Sequence, residues 1–202
     1  MVKLEREDIF KLTGLLFFAT AMGYSESAVV VYLRELYYQD GFHIISELSL
    51  KAVPVRILIT EAGREVATII MLISLSMLLA RKDWLKRFAY FLFAFSIWDI
   101  TYYVWLFVLI RWPESLLKSD VLFLIPRPWV GPVIAPILIS LSFIVISLMI
   151  LSSKKQILSF KELLKMWKYW VYIFVAIWVI ISAFMLWEHR IIYLWNNVII
   201  GI

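Results

Sequence analysis

The chain has no cysteine at all, and that single absence removes disulfides, thiolate metal sites, iron–sulfur clusters and cysteine nucleophiles together. Histidine is nearly absent too: the only two, His43 and His189, fall outside the long apolar blocks. A b-type haem held between two intramembrane histidines therefore lacks its ligands, and so does a helical di-iron site built on Glu-x-x-His. No lysine lies deep in an apolar block to form a retinal Schiff base, no ladder of arginines makes a voltage sensor, and no glycine-rich phosphate loop is present. Charged residues make up only 17% of the chain, against about a quarter in soluble domains. The basic residues form short clusters between apolar blocks, so the net charge of +5 does not describe a nucleic-acid surface.

What is abundant is hydrophobic: 63% of the 202 residues, gathered into long blocks. About 20 apolar residues in a helix cross a hydrocarbon core of roughly 30 Å. The pattern predicts an all-α, polytopic membrane bundle with five spans, near 11–33, 61–80, 88–110, 133–152 and 167–187, in one membrane domain covering 1–202. The first span is too long for a cleavable signal and contains Glu26. RKDWLKR (81–87) carries four basic residues and KKQILSFKELLKMWK (154–168) carries five, and five alternating spans put both on one side. The positive-inside rule then places the N-terminus inside and the C-terminus outside a prokaryotic cytoplasmic membrane. IPRPWVGPVIAP (125–136) holds four prolines and one glycine, which rules out a regular helix and predicts a segment that caps or dips into the outer face.

Against this background the intramembrane acids stand out, because charge in a bilayer is costly and faces the bundle interior or a polar cavity. Asp99 sits in AFSIWDITYYVWLFVLI, twelve residues or about 18 Å from Arg87. Only 66–80 are free of charge in the second block, so its helix must extend back through Glu65, Arg64 and Glu61 to span. Glu26 lies at similar depth beside a ridge of Ala19, Gly23 and Ser27 that permits close helix approach. Glu26, Glu61, Arg64, Glu65, Asp99, Tyr102 and Tyr103 are therefore predicted to share one polar pocket between the first three helices.

Three uses of that pocket compete. Glu26, Glu61, Glu65 and Asp99 offer hard oxygen ligands for a divalent metal, which could support chemistry on a lipid or quinone. The same carboxylates could bind or carry protons, sodium or a cationic solute, in a binding or transport protein or a small subunit of a membrane complex. Or Arg64 and the tyrosines could neutralise the acids in a purely structural network. The excess of acid over arginine favours a cation or metal site, without deciding whether the protein is an enzyme. A separate outer cluster, Arg111, Lys118 and Arg127 around Asp120, is a candidate for a phosphate or lipid headgroup, or simply for interfacial anchoring with Trp112 and Trp129.

The strings EAGREVATIIML, WDITYYVWL, RWPESLL and DVLFLIPRPWVGPVIAP together resemble a family of small uncharacterised prokaryotic membrane proteins over roughly 60–140. That resemblance implies that the acidic helix, the aspartate helix and the proline-rich loop form a unit. It brings no activity, cofactor or ligand with it.

Overall fold

The structure, a computed structural model, describes residues 4–38, 53–125 and 129–152. The chain divides into Met1–Lys154 and Lys155–Ile202, and every described residue lies in the former. The fifth expected span, both histidines and Arg127 fall outside the described residues.

Four helices are present: α1 Arg6–Tyr37, α2 Val55–Leu79, α3 Trp84–Ile110 and α4 Ile134–Ser152. All four are long and apolar enough to cross a membrane, which points to a membrane protein. Each of the first three begins before its apolar block does. For α3 the reason is local: Asp83 caps the helix, its carboxylate accepting from Leu85 N at 3.0 Å and Lys86 N at 3.1 Å. The helix stops at Arg111, whose φ of 56° turns the chain while its N–H still donates to Phe107 O.

Helix α3 is the hub, with α1, α2 and α4 each packed on it. Its buried Ala89, Ala94 and Ser96 are small enough to let neighbouring helices approach. On α1 the buried residues Leu12, Leu15, Ala19, Gly23 and Ser27 recur three or four apart, giving one stripe along the helix. Gly23 marks the closest approach: a Cβ there would stand 2.5 Å from Thr101 Oγ1 and 3.1 Å from Trp98 O. One turn on, Ser27 Oγ lies 2.8 Å from both Gly23 O and Tyr102 O. At the other end of the same interface Asp8 accepts from Tyr90 Oη at 2.6 Å and Lys86 Nζ at 3.1 Å.

The third connection adds a short two-stranded ribbon to the helical frame. Strands β1 (Ser119–Phe123) and β2 (Trp129–Pro132) pair antiparallel, Asp120 opposite Gly131 and Val121 opposite Val130, with an irregularity between Val121 and Phe123. Branched and aromatic residues favour such pairing, and Pro132 sits at the end of its strand, where a missing N–H costs least. Hydropathy alone does not predict this ribbon, because its apolar residues read like any other short apolar run.

Candidate functional site: a cavity of unequal charge

A cavity of about 140 Å³ lies among α1, α2, α3 and β1. Helix α1 contributes Glu26 and Arg34 to its lining, and α2 contributes Glu61, Arg64 and Glu65. Helix α3 adds Trp98, Asp99, Tyr102 and Tyr103, and the strand adds Asp120 and the residues up to Leu124. All seven residues expected to share a pocket thus border this one. Val30, Leu33, Leu58 and Phe123 supply apolar wall between the polar groups.

Each charged side chain of the lining has a described partner. Arg64 forms ion pairs with both Glu26 of α1 and Glu61 of its own helix, its Nε 2.8 Å from Glu61 Oε2. Since α1 and α2 both pack on α3 and have little backbone contact with each other, the Arg64–Glu26 pair is a described side-chain link between them. Glu65 accepts the backbone N–H of Leu124 at 3.0 and 3.1 Å, which hangs the end of β1 from α2. Asp99 Oδ2 accepts from Ser140 Oγ at 2.7 Å, bringing α4 into contact with the site. Arg34, buried at the end of α1, pairs with Asp120 Oδ1 at 3.3 Å and lies 3.8 Å over the Trp112 ring. Burial pushes the Asp120 carboxyl up to about 6, even though Arg34 beside it works the other way.

The four carboxylates offered as a metal shell have other partners in the structure: Glu26 and Glu61 are engaged by Arg64, Glu65 by Leu124 and Asp99 by Ser140. Among the described residues no group of three or more Asp, Glu or His side chains is arranged to hold a metal ion. In the outer basic cluster Arg127 lies outside the described residues, and among the described ion pairs the cation on Asp120 is Arg34. Arg111 is exposed and stacks over Phe107 at 5.6 Å, and Lys118 is half-buried with its carbonyl taking Val133 N at 3.0 Å.

The expected pocket did not include Arg34 or Asp120, which border the cavity, or Ser140, which reaches it through Asp99. Arg34 was discoverable, because it continues the buried Ala19–Gly23–Ser27 stripe by one further heptad. Ser140 and Ser147 likewise stand seven apart in α4 and are both buried, the second donating to Ala89 O at 2.8 Å.

The chain matches no family model, no curated protein and no solved structure. The functional reading therefore rests on the cavity itself.

Proposed function

We propose that this cavity is the binding site of a membrane protein for a small organic cation, with Glu65 and Asp99 as counter-charges. One observation supports the reading. Of the charged groups bordering the cavity, five are acids (Glu26, Glu61, Glu65, Asp99, Asp120) and two are guanidiniums, Arg34 and Arg64. Both guanidiniums are engaged with other acids, whereas Glu65 and Asp99 are held by a backbone amide and a serine hydroxyl. Carboxylates with neutral partners in a low-dielectric setting need a cation or a proton. Paired-off ligands suit a single positive group better than a chelated divalent metal, which wants several oxygens converging at once.

Proton- or ion-coupled transport of the solute is the second reading, favoured by the Asp99–Ser140 bond, since a serine hydroxyl can serve either protonation state of the acid. Both readings assume an inside N-terminus and a cavity toward the outer half of the bilayer. The test is thermal melting of the purified protein in detergent with alkylammonium ions, sodium and divalent metals, beside the Asp99→Asn/Glu65→Gln double variant. Alkylammonium should raise the wild-type melting temperature in proportion to log concentration and leave the variant unmoved. A shift of equal size in the double variant, or one produced by divalent metal alone, would sink the proposal.

A further inference from the structure

The cavity holds more than one uncompensated charge. Its five carboxylates face two guanidiniums, an excess of three negative charges when all are ionised. One of the three lies on Glu26 and Glu61, which share Arg64, and the other two are Glu65 and Asp99. A monocation entering here would leave one of those two acids with only a neutral partner. A charge held in low dielectric without its counter-charge is costly.

Both acids have room for a donor. Leu124 gives Glu65 a single N–H shared between its two oxygens, which offer about four lone-pair sites. Asp99 is only 8% exposed, and Ser140 bonds its Oδ2 alone. Its Oδ1 has no donor among the described residues, yet it is not sealed in as Asp120 Oδ2 is, and Asp99 borders the cavity. The two acids also stand apart. Glu65, on α2, is tied to the end of β1, and Asp99, on α3, is tied to α4. Among the described residues no hydrogen bond joins the two carboxyls through a shared proton. Resting on the cationic reading above, we infer that the ligand is a short aliphatic diamine, with one ammonium on Glu65 and the other on Asp99.

The middle of such a ligand is apolar, and so is the wall between the acids, with Val30, Leu33 and Leu58. A cavity of about 140 Å³ is close to the roughly 150 Å³ apolar cavity that takes benzene, so about six heavy atoms fit. Two nitrogens joined by four carbons meet that limit. Alkylammonium groups titrate near lysine, at about 10.4, so both ends carry their charge at pH 7.

The probes are 1,4-diaminobutane and pentylamine, equal in length and differing only in an ammonium against a methyl at one end. Both are titrated calorimetrically into the full-length protein in detergent at pH 7, and into Asp99→Asn and Glu65→Gln. Wild type should favour the diamine by about tenfold or more, well past the statistical gain of about two from its equivalent ends. Each single variant should still bind pentylamine through the acid that remains and should lose the diamine's advantage. An ammonium facing an apolar wall, or an acid that already holds a proton, is penalised. Wild type binding pentylamine as tightly as the diamine, or more tightly, therefore overturns the inference. A diamine advantage that persists in either variant also overturns it, because the second charge then answers to something other than that acid. In those two cases the cationic reading survives. The wild-type ratio is read without the variants, so it decides even where one of them fails to fold. If neither amine binds wild type, both fail together.

Discussion

Arg34 and Asp120, 86 residues apart, meet at 3.3 Å between the end of α1 and the first strand of the ribbon, with the guanidinium laid over Trp112 at 3.8 Å. Both side chains are almost fully buried, so the pair is a clamp rather than a surface contact. Arg34→Ala leaves a buried carboxylate without its cation and should cost about 3–5 kcal/mol, read as a lowered melting temperature in detergent. Arg34→Lys should recover only part of this, because a lysine keeps the charge but not the planar face over Trp112. Full recovery by lysine would mean that stacking contributes nothing.

The acid end of that clamp makes stability depend on pH in a definite direction. Burial raises the folded-state value of Asp120 from an ordinary 3.8 to about 6, so the folded protein holds this proton more tightly than the unfolded chain does. Its contribution is fully present below about pH 4 and is lost as pH rises through 6, a change of about 3 kcal/mol. The difference in melting temperature between wild type and Asp120→Asn should therefore favour wild type progressively as pH falls from 7 to 4. A difference that moves the other way would contradict the burial of this group.

Arg64 is engaged on both sides, by Glu26 and by Glu61. Arg64→Ala strands two carboxylates and removes the bridge from α2 to α1, so it should destabilise more than Glu65→Gln, which keeps an acceptor for Leu124 N. The triple variant Glu26→Gln/Glu61→Gln/Arg64→Gln should regain much of the loss, since no unpaired charge remains. If the triple is as unstable as Arg64→Ala, packing rather than charge is what Arg64 provides.

Two glycines of one helix should respond oppositely to alanine. At Gly23 the added methyl would meet Thr101 Oγ1 at 2.5 Å and two backbone atoms at 3.1 Å, so Gly23→Ala should force α1 off α3 and cost about 1–3 kcal/mol. At Gly14 nothing lies within 4 Å, and Gly14→Ala should be neutral or stabilising by up to about 1 kcal/mol. Equal effects at both sites would argue against the close α1–α3 contact.

The same contrast separates what could be read in the chain from what could not. Long apolar blocks broken by RKDWLKR dictate helices that can cross a membrane, because a backbone in hydrocarbon must satisfy its own hydrogen bonds and a helix does so locally. The cost of intramembrane charge was legible too: it marked Glu26, Glu61, Arg64, Glu65 and Asp99, and it required α2 to begin well before Val66, as it does at Val55. Neither rule says which acid meets which donor. Pairing is a matter of distances across elements far apart in the chain, such as Glu65 with Leu124 and Asp99 with Ser140. Such distances are set by how closely α1 and α4 can approach α3. In the structure Glu26 and Glu61 share Arg64 while Glu65 and Asp99 take neutral donors, and Arg34, at the far end of α1, borders the same cavity. Hydropathy and charge cost act residue by residue and are written in the sequence. The division of the acids between guanidiniums and neutral donors belongs to packing, and only the tertiary structure decided it.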